Sequence, residues 1–341
     1  MRKVLFVMLL CIVSLYNGFG QLSSMMEETT LKGFAHFNSN YGFESEKVSF
    51  EVGELDLFFT SRVSDKFTIL NENVIKLDNG GSFNASIERL IFKYNYRGNH
   101  SVLFGKVHTA LNYWNDTYHH GRVFFPTIDR PSFFSAKIFP IHTTGIGLQG
   151  QNLGDLRFGY DVLVGNGIGA HDNPIDDDKF KSVTIATHMK PIDGLRVGVS
   201  AYYDQFQEGV HRPGGAGEVT ERINMSLYTA SVAYFGNKFE FLSEGTFTAN
   251  SSDSLGTNNS YSAYAYFGVR VKNKIVPYTK VDFLSFDDNE QYYSPVDYSS
   301  ILFGVRYDYT YRAVFKLEFQ HTFDELAKAG NSIKGQIAVG F

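Results

Sequence analysis

The 341-residue chain has little of what staples or interrupts a small fold: one cysteine, one tryptophan and eight prolines. Cys11 lies in the N-terminal apolar stretch, so the remainder holds no disulfide, no thiolate metal site and no cysteine nucleophile. Basic residues are not in excess. Lys plus Arg number 31 against 36 Asp plus Glu, a net charge of −5, which gives no general attraction to nucleic acid. Beyond the N-terminus no run approaches the roughly 18 apolar residues of a transmembrane helix. Neither a collagen period nor a polar low-complexity tract appears, which excludes a fibrous or disordered chain. What is abundant is glycine (32), phenylalanine (32) and tyrosine (21). These are residues of strands and tight turns, and they argue against an all-helical protein.

The first twenty residues read as a cleaved secretory signal. Arg2 and Lys3 form a positive n-region, Val4 to Tyr16 an apolar h-region, and Gly18, Phe19 and Gly20 a small-residue cleavage site before Gln21. The apolar run is too short to span a bilayer. Leu10 stands before Cys11 where a lipoprotein signal carries a small residue, so no lipid anchor is expected. Cleavage removes Arg2 and Lys3, taking the net charge from −5 to −7, and leaves residues 21–341 as one domain.

That domain alternates with period two, the mark of half-buried strands. Leu195, Val197, Val199, Ala201 and Tyr203 share one face, against Arg196, Gly198, Ser200, Tyr202 and Asp204. Ala313, Phe315, Leu317 and Phe319 alternate with Val314, Lys316, Glu318 and Gln320. Leu156, Phe158, Tyr160, Val162 and Val164 oppose Arg157, Gly159 and Asp161, and Ile333, Ile337, Val339 and Phe341 oppose Lys334 and Gln336. A soluble sandwich alternates too, but three features favour a transmembrane barrel. Charges and glycines sit deep inside long strands, as a wet lumen allows. Aromatic pairs crowd strand ends like interfacial girdles: Tyr94 and Tyr96, Tyr202 and Tyr203, Tyr307 and Tyr309. Short and long connections alternate, and a sheet in lipid must close on itself.

The expected fold class is therefore all-β: a transmembrane antiparallel β-barrel of about 16 strands, with short periplasmic turns and longer outer loops. The predicted strands are 30–40, 49–62, 66–76, 83–96, 100–108, 143–151, 155–166, 179–190, 194–206, 222–235, 238–249, 260–271, 274–286, 298–309, 312–323 and 332–341. Those at 83–96 and 100–108 alternate poorly. Longer connections centre on 41–48, 77–82, 109–142, 167–178, 207–221, 250–259, 287–297 and 324–331, and both termini fall on the periplasmic side. A barrel of this strand number encloses an aqueous channel.

With these features in place, the chain resembles the sixteen-stranded bacterial porins. The stretch Gly53-Glu-Leu-Asp-Leu-Phe-Phe-Thr-Ser-Arg-Val-Ser-Asp-Lys-Phe67 is similar to an early hairpin of proteins distantly related to the phosphate-selective porin O/P-like group. Gly105-Lys-Val-His-Thr, Tyr113-Trp-Asn-Asp-Thr-Tyr-His-His-Gly121 and Asp129-Arg-Pro131 add to that resemblance, as does the terminal Phe341, which is like the signature read by barrel-assembly machinery. It implies a homotrimer, and a third outer loop, here 109–142, that folds into the lumen and narrows it. It does not carry over a phosphate preference, since the mature charge is negative and no lysine ladder is evident.

That loop and the residues just before it hold the densest unusual chemistry: Lys106, His108, Asn112, Trp114, Asp116, His119, His120, Arg122, Asp129, Arg130, Lys137 and His142. A loop of this length is functional or disordered, and this one is aromatic rather than linker-like. The predicted pore constriction is Lys106, His108, Trp114, Asp116, His119, His120, Arg122, Asp129, Arg130 and His142. Opposed charges across a constriction filter solutes by size and sign, and histidines there make conductance depend on pH near neutrality. Arg122 and Arg130 lead the list because arginine stays charged; the bland alternative is that these groups merely tie the loop to the wall.

Other chemistry ranks lower. Adjacent His119 and His120 point apart on an extended chain and no H-E-x-x-H spacing occurs, so no metal and no cofactor is expected. His188 and His321 stand near serines, but without a G-x-S-x-G motif no catalytic pair can be placed, and the chain reads as not an enzyme. Asp172, Asp176, Asp177 and Asp178 read as a solvated acidic loop, and Pro213-Gly-Gly-Ala-Gly217 as a loop tip without the lysine of a phosphate cradle.

The functional expectation is an outer-membrane porin for passive diffusion of small hydrophilic solutes or ions, partnered by outer-membrane lipid and not by nucleic acid. The alternatives are a structural or adhesive barrel with a blocked lumen, or less favoured, a barrel lipid hydrolase.

Overall fold

A computed structural model describes residues 28–77, 81–118, 121–168, 176, 178–212, 217–294, 296–323 and 329–341. The leader expected over residues 1–20 lies outside them, as do His119, His120, Asp172, Asp177 and 213–216. Sixteen strands form: β1 (Thr29–Gly42), β2 (Lys47–Arg62), β3 (Phe67–Leu77), β4 (Phe83–Arg97), β5 (His100–His108), β6 (His142–Leu153), β7 (Phe158–Gly165) and β8 (Ser182–Met189) make the first half. The second half is β9 (Leu195–Phe206), β10 (Ile223–Phe235), β11 (Phe239–Ser252), β12 (Gly256–Val269), β13 (Ile275–Ser285), β14 (Tyr298–Thr310), β15 (Ala313–Thr322) and β16 (Gly330–Gly340). Each pairs antiparallel with its neighbours in sequence, and β1 pairs with β16, closing an all-β barrel with no free edge.

The alternation predicts the facing correctly where strands are regular. Phe315, Leu317 and Phe319 are exposed outward, while Lys316 and Glu318 between them are buried inside. Val199 and Tyr203 likewise face out on β9, and Asp204 in. Tyr94, Tyr96, Tyr307 and Tyr309 stand exposed at strand ends. Tyr202 does not belong to that girdle: it is buried inside the barrel, its hydroxyl donating to Asp204 Oδ2 at 2.5 Å.

The poor alternation near 83–96 has a local cause. Glu72 pairs with Arg89 and Asn73 with Ile87, so Glu88 is an extra residue, a β-bulge. A second irregularity sets Gly53 and Glu54 on β2 opposite His36 alone on β1, with the His36 ring packed directly against Gly53. Period-two counting fails at both because a bulge shifts every later side chain by one. At Gly105 on β5 a positive φ of 116° brings the backbone onto Leu90 of β4, so close that a side chain there would overlap the carbonyl oxygen.

Two loop expectations are corrected. The connection centred on 41–48 is a turn of residues 43–46, no longer than the short turn 63–66. The connection centred on 250–259 is not long: β11 and β12 continue their ladder from Ser251–Thr257 to Ser252–Gly256, leaving a turn at 253–255. The polar run Thr248 to Ser252 looks like a loop by composition, yet it stays in the ladder, with Asn250 Nδ2 donating to Glu290 Oε1 at 2.9 Å and Ser252 Oγ to Glu221 Oε1 at 2.6 Å.

Candidate functional site: a loop clasped inside the barrel

The long connection between β5 and β6 enters the barrel, as the resemblance implies. Its neck is cross-tied: Thr109 Oγ1 lies 2.7 Å from Thr143 Oγ1, and Asn115 Nδ2 donates to the carbonyls of Thr109 (2.9 Å) and Ile141 (3.0 Å). Asn112 takes a left-handed φ of 61°, a conformation asparagine tolerates well, and turns the chain into the short helix α1 (Tyr113–Tyr118). A second short helix, α2 (Ser132–Ser135), follows.

Four buried carboxylates hold the loop backbone: Asp56 of β2, which accepts from Gly121 N at 3.4 Å, and three from the alternate strands β11, β13 and β15. Glu244 of β11 accepts from the N–H groups of Tyr113 and Trp114, the latter at 3.0 Å, and from the Tyr264 hydroxyl at 2.5 Å. Asp282 of β13 accepts from Ser132 N (3.0 Å) and Ser132 Oγ (2.6 Å). Glu318 of β15 accepts from Ile128 N and the Tyr278 hydroxyl, both at 2.7 Å. Two of these sit at helix starts, where unpaired N–H groups and the helix dipole favour negative charge. One buried cation completes the clasp: Lys316 Nζ donates to the carbonyls of Arg122 (2.8 Å) and Thr127 (3.1 Å).

Between these polar ties lies a dry aromatic contact. Trp114, Phe125, Phe133 and Phe139 of the loop are fully buried with Tyr264, Tyr266, Met225 and Leu242 of the β9–β14 wall. Each buried aromatic contributes roughly 1.5–3 kcal/mol. Trp114, expected on the passage, is thus an anchor: it is 0% exposed and meets Tyr118, Phe125 and Tyr264 edge-on.

The outer loops roof the same half. Phe206 and Tyr292 stack at 4.4 Å, Arg212 donates to the carbonyls of Tyr292 (3.1 Å) and Tyr293 (2.7 Å), and the Tyr293 hydroxyl reaches Ile138 O at 2.5 Å.

The predicted charged residues are distributed around this clasp. Asp116 pairs with Arg196 at 2.6 Å, and Asp129 with Lys334 at 2.5 Å. Arg122 donates to Ile128 O at 2.9 Å and lies over the Phe125 ring, while Arg130 lies over Phe125 and Phe134. Burial and the neighbouring Arg122 charge lower Arg130 to about 10, and Glu54, Asp56 and Glu88 on the β2–β4 wall pull the other way; it stays protonated at neutral pH. His142 Nε2 is 3.4 Å from Glu88, His108 Nε2 is 3.9 Å from Glu72, and the two rings are 5.4 Å apart. Lys106 donates to Ile87 O at 3.1 Å beside them. Lys137 has a positive φ in a loop turn. His188 and His321 contact Arg196 (3.2 Å) and Asn331 (2.9 Å) through Nδ1.

Sequence reading missed the wall partners. Glu54 and Glu88 lie at the two bulges, where the alternation is broken. Glu244 and Asp282 stand on regular inward faces, and only the return of a distant loop reveals what they bind.

The Asp129 pair carries a pH prediction. Its carboxylate sits deep within the barrel, which raises its pKa, but Lys334 outweighs this and holds it at about 2, below the ordinary 3.8. A depressed carboxylate stabilises above its unfolded pKa and loses that contribution as pH falls through the folded value. The tie should therefore persist from neutrality to about pH 4 and fail toward pH 2. Asp129→Asn should remove any loop-release step found near pH 2–3 in conductance or Trp114 emission; a step unchanged in that variant belongs to another group.

Below the loop, on the short-turn side, two hollows open. One of about 520 Å³ is lined by Tyr118, Phe124, Phe235 and a network in which Arg306 and Arg270 both bond Glu240 and Asp308. The other, about 380 Å³, lies between α1 and the turns after β6 and β8.

No protein-family model matches the sequence, and no curated protein matches it. Among solved structures the chain is similar to OmpT, an outer membrane protein of Vibrio cholerae in a trimer form, with a TM-score of 0.66, 11% identity, and coverage of 92% of this chain and 99% of that one. It is similar to the anion-selective porin from Comamonas acidovorans (TM-score 0.63, 13% identity, 92% and 99% covered). It is also similar to the outer membrane channel DcaP of Acinetobacter baumannii (TM-score 0.60, 12% identity, 92% and 97% covered). At these identities the likeness is one of fold, and the fold is the closed sixteen-stranded antiparallel barrel of the porins.

Proposed function

We propose that the protein is an outer-membrane channel for passive diffusion of small hydrophilic solutes or ions. The observation that carries this reading is the division of the wall. Phe303, Phe315, Leu317 and Ile337 face outward, whereas Arg306, Lys316, Glu318 and Gln336 on the same strands face in. Only a barrel with lipid outside and a polar interior rewards that arrangement. The short turns then lie on the periplasmic side, and residues 1–20 serve as the cleaved leader.

The constriction is the gap between the loop's Arg122 and Arg130 and the acidic β2–β4 wall. His108, His142, Asp116, Asp129 and Lys106 tune it from its margins. Mechanism is diffusion down a gradient, with selection by radius and by the field between those charges. No enzymatic activity is part of this reading. A homotrimer is proposed from the trimer form of the Vibrio protein, and kinship with the phosphate-selective group rests on the 53–67 and 105–131 stretches alone. Assembly through the barrel machinery rests on Phe341.

A second reading, a structural or adhesive barrel with a blocked lumen, draws on the aromatic cluster and loop roof that fill one half of the interior. Planar-bilayer recording of the folded full-length barrel separates the two. Discrete conductance steps that scale with bulk salt are expected; their absence at protein levels where insertion is verified would sink the channel and favour the structural barrel.

A further inference from the structure

We propose that the hollow of about 380 Å³ beneath α1 binds a small organic anion in which a carboxylate is joined to an apolar, aromatic body. This deepens the channel reading, on which it rests for the solute's route of entry.

Its volume lies in the range of small-molecule sites, and its lining has two unlike sides. One side is cationic: Arg157, Lys190 and Arg196. Asp116 is the one carboxylate among the described lining residues, and it is engaged by Arg196 at 2.6 Å. Arg196 is further fixed by Thr117 Oγ1 at 3.2 Å and His188 Nδ1 at 3.2 Å. Arg157 and Lys190 are less committed. Arg157 Nε donates to Lys190 O at 3.2 Å and Nη1 pairs with Asp193 at 3.0 Å, but the Asp193 side chain is 98% exposed and such a pair is weak. Lys190 Nζ reaches Asn152 Oδ1 at 3.4 Å, a long bond to a neutral group. Lys190 also stands beyond the end of β8 and is held below the usual lysine range by burial and by the Arg196 charge, a crowding that an anion relieves.

Beside these cations the lining is apolar, and Arg196 itself lies over the Tyr113 ring at 5.2 Å. Tyr113 and Phe235 stack at 6.4 Å with an interplanar angle of 18°, and Ile192 and Leu195 continue the surface. Cations next to an aromatic surface suit a ligand with a carboxylate at one end, taken by an arginine fork, and a ring at the other. The larger hollow offers no such vacancy, because its arginines are already bonded to Glu240 and Asp308.

The probe is benzoate, with acetate, inorganic phosphate and benzylammonium as comparators. Calorimetric titration into the detergent-solubilised barrel reads binding whether or not the protein conducts, so failure of the channel reading and failure of this site are separable. Interruption of single-channel current by benzoate added from the short-turn side reads the site in the membrane. Saturable benzoate binding, at least about tenfold tighter than acetate or phosphate and absent for benzylammonium, is expected. In Arg157→Gln with Lys190→Gln, verified as folded by heat-dependent electrophoretic mobility, benzoate affinity should fall at least about tenfold, the loss of one charge-assisted hydrogen bond. No saturable benzoate binding to the wild type overturns the site. Unchanged affinity in the folded double variant places it elsewhere and overturns the assignment. Equal affinity for acetate, phosphate and benzoate overturns the role of the Tyr113–Phe235 wall.

Discussion

Glu244→Ala shifts the emission of Trp114 to longer wavelength and raises single-channel conductance. The reason is the number of buried groups that share one carboxylate. Tyr113 N, Trp114 N and the Tyr264 hydroxyl all donate to Glu244, and truncation leaves the three without an acceptor in a dry setting. An unsatisfied buried donor costs about 1–3 kcal/mol, so the total is on the order of 3 kcal/mol or more, comparable with what holds a short helix in place. Release of α1 is the cheapest relief, because the sixteen-strand ladder is not involved. Trp114 is the one tryptophan in the chain and is fully buried, so its fluorescence reports the event without labelling. Glu244→Gln keeps an accepting oxygen and should fall between wild type and alanine. Emission and conductance both unchanged in Glu244→Ala would show that the aromatic cluster alone seats the loop.

Arg130→Glu shifts ion selectivity toward cations. Arg130 remains charged at neutral pH and shares its surroundings with Arg122, Glu54, Asp56 and Glu88. Reversal replaces one of the loop's two arginines by an anion, so the passage then carries acids on both sides. The reversal potential across a salt gradient should move by a severalfold change in the cation-to-anion permeability ratio. The change should be largest near 0.1 M salt, where charges act over about 10 Å, and smallest near 1 M, where they act over about 3 Å. Arg130→Gln should give a change of the same sign and smaller size, which separates charge from the lost contacts with Phe125 and Phe134. An unmoved reversal potential in both variants would remove Arg130 from the constriction.

Much of the architecture was legible in advance, and the departures have identifiable causes. Regular strands such as β9 and β15 declare their facing, because an outward apolar residue and an inward polar one must alternate. Glu88 and the Gly53–Glu54 pair escape that rule because each sits at a bulge. Tyr202 was misplaced because an aromatic beside another aromatic near a strand end looks the same whether it points to an interface or into a dry interior. Trp114 was misplaced for a related reason: its neighbours in sequence are polar, while its neighbours in space, Phe125 and Tyr264, are distant in sequence.

The sequence alone determined the strand count, the apolar outside of the barrel and the loop that carries the unusual chemistry. These follow from local periodicity and composition, which neighbouring residues suffice to encode. Only the tertiary structure decided that Glu244, Asp282 and Glu318 clasp that loop, that Asp116 and Asp129 are bound to Arg196 and Lys334, and that Arg122 and Arg130 share the lumen with acids of β2–β4. Those tied partners stand 80 to 205 residues apart, and a hydrogen bond or ion pair between them exists only once closure of the barrel has brought the far strands together.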